Sequence, residues 1–364
     1  MEKKFPLVSL IIVSYNEIGN IGDTLDALMG QDYPDFEIIV YDNGSHDGTP
    51  EFIVQNFPSI RLIRGEENLG FGGANNEAAK LARGKYLAFV NDDAYVSSNW
   101  LEPLVDLLEA DSTIGCIGAE LLCIEKRDVI LCQGNSIHLS GIAYVRNRGK
   151  ITSATPPMEV GGISGAAFLM SRELFLEMGG FESLFFLYYE DTDLSLRLRL
   201  LGKRCIVVPE AHVYHNCESR FSLGKVFYLE RNRYLSIFSL MSVQVLILMT
   251  PSMLVFELIS WGYCLLRGKE AVRVKANAWL EIYKHRWWIK ERRHRYTNRK
   301  VDTAYMLRAF TPVIQIDYVH ANNILGQFAA ALGYLVAAPV FYLSRLLTRK
   351  KRRIKTTHYF DSDQ

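Results

Sequence analysis

The first hundred residues alternate between short uninterrupted apolar runs and stretches whose apolar positions recur every three or four residues. Residues 7–14, 36–41, 60–64 and 86–90 are apolar runs of strand length, the pattern of strands buried on both faces. Between them, 18–29 carries Ile21, Leu25, Leu28 and Met29 at helical spacing. Residues 50–57 read as a short helix and 72–82 as an Ala- and Asn-rich one. This order predicts an α/β fold with a doubly wound, mainly parallel sheet, in which ligands bind beyond the carboxyl ends of the strands. Polar clusters fall at those ends: Tyr15-Asn16-Glu17, Asp42-Asn43 and Asn91-Asp92-Asp93.

From 121 to 160 the periodicity weakens, and a hairpin of 129–138 with 142–148 is predicted, followed by Pro156-Pro157. Next come a small-residue strand entry over 161–170, an amphipathic helix from Arg172, and an aromatic-acidic block over 185–193. A helix over 194–201 and a strand over 204–208, ended by Pro209, complete the region. Beyond 225 the pattern changes. Residues 234–256 and 321–344 carry no formal charge, and each run is long enough to cross a bilayer. Pro251 and Pro339 lie near their middles, where proline breaks or kinks a helix. Three arrangements follow: re-entrant or monotopic segments, two true spans, or buried helices of a soluble domain. The connecting stretch 267–320 holds 13 basic and 5 acidic residues, which opposes placing it on the far side of a membrane.

Charge sharpens this division. The 364 residues include 41 Lys+Arg and 40 Asp+Glu, a net charge of +1. Residues 1–224 hold 18 basic and 31 acidic side chains (18 − 31 = −13), and 225–364 hold 23 and 9 (23 − 9 = +14). An acidic α/β region over 1–224 and a basic helical region over 225–364 are expected. The second would contain apolar membrane segments at about 234–266 and 321–347. The six cysteines form no CxxC pair and are expected to be reduced, buried thiols; no leader is read at the start of the chain.

The candidate chemistry sits on loops. Adjacent carboxylates at Asp92-Asp93 repel unless a cation or sugar hydroxyls satisfy them, and hard divalent cations choose such oxygen ligands. Asp42, directly after an apolar strand, can accept hydrogen bonds from a nucleobase or ribose. The segment 68–76, with Asn68, Gly72 and Asn75, lacks both the GxGxxG and the P-loop spacing. Its glycines still let a phosphate or sugar approach the backbone. In Glu190-Asp191-Thr192-Asp193, Asp193 is expected to cap the following helix. Glu190 or Asp191 then remains as a general base raised in pKa by burial and like charge. His215 follows the last strand, with His212 as a competitor.

Taken in order, these motifs resemble family 2 inverting glycosyltransferases, most closely the rhamnosyltransferase-type members, over about residues 7–220. The resemblance implies a GT-A fold, a nucleotide-diphosphate sugar donor and a divalent cation, Mg2+ or Mn2+. It places Ser14, Tyr15, Asn16, Glu17 and Asp42 at the nucleobase and Asp92 near the ribose. It gives Asp93 to the metal, Asp191 to the base role, His215 to the metal or diphosphate, and Gly165 and Ala166 to the acceptor side. Asn91 departs from the family's DxD pattern, where an Asp usually begins the motif. The acceptor is expected to be a lipid-linked or cell-surface glycan precursor, with dTDP-rhamnose or a UDP-sugar as donor. The basic region would face anionic lipid at the cytoplasmic side of the cell membrane, and nucleic acid is not expected as a partner. The alternative is a membrane-anchored nucleotide-sugar-binding protein without activity.

Overall fold

The computed structural model describes residues 5–216, 222–296, 301, 303–313, 331–339 and 341–342. Most of the second apolar run and the basic cluster 349–353 lie outside the described residues.

The predicted alternation forms half of a mixed sheet. In chain order β1 (Val8–Ser14), α1 (Ile21–Met29), β2 (Phe36–Asp42), α2 (Thr49–Asn56), β3 (Arg61–Arg64), α3 (Gly70–Leu81) and β4 (Tyr86–Asn91) lie within a residue or three of their expected positions. They are followed by β5 (Ala94–Val96), α4 (Leu101–Ala110), β6 (Ile114–Cys123), β7 (Ile130–Cys132), β8 (Asn135–His138), β9 (Ala143–Val145), β10 (Met158–Glu159), β11 (Ala167–Ser171), α5 (Arg172–Glu177), α6 (Glu190–Leu200) and β12 (Arg204–His215). The main sheet runs β10-β12-β6-β11-β4-β1-β2-β3. β1 pairs in parallel with β2 and β4, and β6 with β12, while antiparallel β11 joins the two blocks.

Three details differ from expectation. The predicted hairpin is divided, since β7 pairs with β6 and only β8 pairs with β9. β12 continues through Pro209, because a register shift between Val208 and His212 absorbs the missing N–H. α6 begins at Glu190 rather than at 194, entered from Tyr189 in the left-handed conformation (φ 77°) with no side-chain cap.

The remaining elements are α7 (Leu223–Leu240), α8 (Val243–Arg267), α9 (Lys269–Lys284), α10 (Arg286–Arg295), α11 (Thr303–Leu307) and β13 (Phe310–Thr311). The charge-free run 234–256 is therefore two helices. Ser242 starts the second, its hydroxyl accepting from the Val245 N–H at 3.3 Å. Pro251 lies inside α8 and does not fold it back on itself.

The reversal of charge near 225 falls inside α7 and marks no gap in the structure. Ile137, Leu139, Phe185, Tyr189, Leu196 and Leu200 share one apolar core with Tyr234, Leu235, Ile237, Met249 and Phe310. β13 also adds to β8 as a parallel strand, so a segment from the basic half completes a sheet of the acidic half. Cys116, Cys132, Cys205 and Cys264 are free and buried as expected, whereas Cys123 is disulfide-bonded.

Candidate active site

The parallel strands bring three of the polar clusters to one edge. Ser14 is in register with Asp42, and Val13 with both Tyr41 and Asn91, so the chain after β1, β2 and β4 leaves from one level of the sheet. The Ser14 hydroxyl is buried there without a hydrogen-bond partner, while Tyr15 is exposed. Asn16, at φ 57°, locks its loop to the next: its N–H donates to Ser45 Oγ and its side-chain oxygen accepts from the His46 N–H. Glu17 accepts from the Asn20 side chain at 2.7 Å. Asp42 is buried and accepts from the Ser45 N–H at 3.3 Å, so the turn does use this carboxylate.

The glycine segment is largely occupied within the fold. Asn68 Oδ1 accepts from Asn43 Nδ2 and from the Gly70 N–H, and buried Asn75 donates to the Phe71 carbonyl. Gly72 packs on Phe181, where a Cβ would come within 2.9 Å of the Phe181 Cβ. Their smallness and hydrogen bonding thus have structural explanations. Asn43, read in the sequence only as part of a polar cluster, also accepts at Oδ1 from the Leu69 N–H at 2.9 Å, which ties two loops together.

Asp92 and Asp93 separate electrostatically. Burial pushes the Asp92 carboxyl up to about 7, helped by the charges of Asp93 and Glu17. Burial pushes Asp93 upward too, but the close His215 imidazole holds it below the usual carboxylate range. For His215, burial opposes the charged form, yet Asp93 lifts its pKa above the ordinary value. β12 is antiparallel to β5 with His215 opposite Ala94, which sets His215 Nε2 3.0 Å from Asp93 Oδ1. This nitrogen is buried and, despite the short distance, lacks a well-aligned hydrogen bond. The competitor His212 instead faces Glu120, at 3.6 Å.

Asp191 is held on several sides in the first turn of α6. Its Oδ2 accepts from the Gly165 N–H at 3.0 Å and lies 3.4 Å from Asn135 Nδ2, while Oδ1 accepts from the Thr192 N–H and hydroxyl. Burial raises its pKa, and the Gly165 and Thr192 bonds oppose the rise. Glu190 is pushed up to about 8, first by burial and then by the Asp191 charge, and its Oε2 has no partner. Near pH 7 Glu190 therefore holds its proton, which leaves Asp191 as the candidate base of the pair. Ala166 accepts from the Asn91 N–H at 2.9 Å. The adjacent residues Gly165 and Ala166 thus join Asp191 to the Asn91-Asp92-Asp93 turn.

Asp193 is no helix cap. It lies inside α6, fully buried, and its carboxylate accepts from Arg197, Ser236 and Arg292. The loop before α6 carries positive φ at Phe186, Tyr188 and Tyr189, a conformation costly for non-glycine residues. α7 supports it. Asn232 Nδ2 lies 3.0, 2.8 and 2.7 Å from the carbonyl oxygens of Phe185, Leu187 and Tyr188, and Arg231 donates to Leu184 and Phe185. Sequence reasoning missed Asn232 and Arg292, since their partners lie 44 and 99 or so positions away.

Among the described residues, no group of three or more His, Cys, Asp or Glu side chains gathers as a metal cage. Asp93 and His215 are a converging pair: one carboxylate oxygen and one buried, poorly satisfied imidazole nitrogen. That donor set suits a divalent cation sharing its remaining positions with substrate oxygens.

Residues 9–179 match the model of glycosyl transferase family 2. An uncharacterized protein from Sinorhizobium fredii is 31% identical over 225 residues, 58% of this chain and 24% of its own length. The N-acetylglucosaminyl-diphospho-decaprenol L-rhamnosyltransferase of Mycobacterium tuberculosis is 28% identical over 202 residues, 49% of this chain and 66% of that enzyme. The chain thus spans about a quarter to two thirds of these relatives. Among solved structures, GalNAc-T7 with UDP, GalNAc and Mn2+ superposes with a TM-score of 0.56 at 19% identity, over 69% of this chain and 50% of that one. Its likeness concerns the fold. Residues 9–179 thus match a family 2 glycosyltransferase domain, and the chain shares the GT-A fold.

Proposed function

We propose that this protein is an inverting glycosyltransferase that moves a sugar from a nucleotide-diphosphate donor to a hydroxyl of a lipid-linked glycan precursor, with Asp191 as general base. The observation that carries the reading is the Gly165-Ala166 link, which fixes the half-buried Asp191 against the turn bearing Asp92 and Asp93. Asp191 accepts the proton of the acceptor hydroxyl as that oxygen attacks the anomeric carbon from the face opposite the departing nucleotide diphosphate. Gly165 N–H and Thr192 keep the carboxylate oriented for that transfer. A single displacement leaves the product with inverted configuration.

The loop of Ser14, Tyr15, Asn16 and Glu17, together with Asp42, is suited to the base and ribose of the donor, with the free Ser14 hydroxyl as one available hydrogen-bonding group. Asp93 and His215 are the residues that would hold a divalent cation, Mg2+ or Mn2+. When bound, such a cation neutralises charge on the diphosphate. The mycobacterial relative's name, a diphospho-decaprenol acceptor and a rhamnosyl group, supports a lipid-linked acceptor and leaves dTDP-rhamnose and UDP-sugars as the first donors to try. The apolar helix α8 and the exposed cations after it support membrane association at an anionic, cytoplasmic face.

The test is a donor screen with membranes containing the protein, followed by NMR of the product's anomeric coupling. Release of one nucleotide diphosphate with an inverted anomeric centre is expected; retention of configuration contradicts the single displacement.

A further inference from the structure

α8 has two apolar faces, and among the described residues only one of them is covered by protein. Between Val243 and Leu266 its one charged residue is Glu257, which faces inward. Glu257 Oε1 accepts from Arg233 at 2.9 Å and from the Tyr234 hydroxyl at 2.6 Å, and Oε2 lies 3.0 Å from Lys275 of α9. Among the described residues nothing covers the outer face. Val243, Ile247, Leu254, Leu258 and Leu265 are 58, 65, 60, 77 and 68% exposed. Their steps of four and seven residues set them in a single stripe along the helix. At 1.5 Å per residue that stripe is about 33 Å long, and soluble surfaces rarely leave so extended an apolar strip uncovered.

Cations flank both ends of the stripe, and aromatic rings flank one of them. Ser242 and Val243 line one open cleft with Trp287, Lys290 and Arg293 of α10, Glu291 being its one acid. Trp287 is 64% exposed, with Arg286 5.6 Å and Lys290 5.4 Å from its ring centre, and Arg286 also covers Tyr283. At the far end Leu265 and Leu266 lead into exposed Arg267 and Lys269. Apolar body, interfacial aromatics and a cationic rim are the features of a helix seated at the boundary between headgroups and acyl chains.

We infer that α8 lies in the plane of a bilayer containing anionic lipid, with this stripe facing the acyl chains and Arg286 and Lys290 among the headgroups. An orientation across the bilayer is disfavoured by the partners of α8. It is tied to α9 through the Glu257–Lys275 pair, so α9 would enter the hydrocarbon with it. α9 exposes Lys269, Glu270 and Arg273, charges that hydrocarbon does not accept without partners. The inference rests on the membrane-associated reading above and adds a surface and an orientation to it.

The experiment adds the whole protein to the outside of sealed vesicles, either of phosphatidylcholine or of phosphatidylcholine with phosphatidylglycerol. Flotation with the anionic vesicles, weakened by salt, is expected. The double variant Leu254→Glu, Leu258→Glu and the variant Lys290→Glu should each lower binding by about tenfold or more, with the thermal midpoint retained. On bound protein an impermeant amine reagent should modify both Lys269 and Lys80. Protection of Lys269 alone would show that α8 spans, and undiminished flotation of the double variant would remove the stripe from the interface. Conversion of a lipid-free dimer to monomer by the double variant would assign the stripe to a second copy. Transfer to a soluble acceptor analogue is measured in parallel: its failure with intact flotation contradicts the catalytic reading and leaves this orientation standing.

Discussion

Arg292 of α10 grips Asp193 of α6 with both arms of its guanidinium, Nη1 to Oδ1 at 2.9 Å and Nη2 to Oδ2 at 2.6 Å. Both side chains are buried, and Asp193 stands two residues after Asp191. The basic half is thereby bolted to the helix that carries the candidate base. Asp193 also accepts from buried Arg197, so removing the carboxylate leaves two buried guanidinium groups without their shared counter-charge. Asp193→Asn should therefore cost about 3–5 kcal/mol of stability, read as a lowered midpoint in denaturant unfolding. A loss below about 1 kcal/mol, the range of exposed pairs, would contradict the role given to this pair.

Asn232 acts on the loop instead of the helix. Its amide lies within hydrogen-bonding distance of three carbonyls of a segment that would otherwise have little reason to hold positive φ at Phe186, Tyr188 and Tyr189. Asn232→Leu keeps the volume and deletes the donors. A displacement of about 1 Å at a reacting group can cost about 100-fold, so kcat should fall by one to two orders of magnitude (about 10–100-fold) while donor affinity changes little. Equal losses in both would place Asn232 outside the positioning of Asp191.

The elevated Glu190 gives stability a definite pH dependence. Its carboxyl, ordinarily near 4.5, is raised to about 8 in the folded protein, so the fold prefers its neutral form. The contribution is complete below the ordinary value and is lost as pH rises through about 8. The thermal midpoint should fall from mildly acidic pH up to about 8 and level off above it, and Glu190→Gln should flatten that fall. Identical pH profiles for the two proteins would contradict the buried, neutral Glu190.

Asp93 and His215 can be tested together. Asp93→Ala and His215→Ala should each weaken Mn2+-dependent donor binding by about tenfold or more, measured by calorimetry with and without the cation. An unchanged metal dependence in both variants would remove the pair from the cation site.

The sheet was readable because buried parallel strands are continuous apolar runs, and β1, β2 and β4 each end where polar residues begin. Asp92, Asp93, Asp191 and His215 stood out because carboxylates and imidazoles interrupt that pattern at strand and helix ends. The break between α7 and α8 was hidden inside a charge-free run, where no change of polarity marks Ser242 as a helix start. The start of α6 was hidden for a related reason: left-handed Tyr189 replaces the usual Ser, Thr or Asp cap. Asn232 and Arg292 were invisible, since local spacing carries no information about partners so distant in the chain.

The most direct measurement compares wild type and Asp191→Asn for donor affinity and for transfer rate under the same conditions. The substitution keeps the shape and most hydrogen bonds of the side chain while removing its capacity to take a proton. Transfer should fall by about 100-fold or more, with the donor dissociation constant within about threefold of wild type, because that change costs under 1.4 kcal/mol. Transfer near the wild-type rate, or a loss explained entirely by weaker donor binding, would contradict Asp191 as the base.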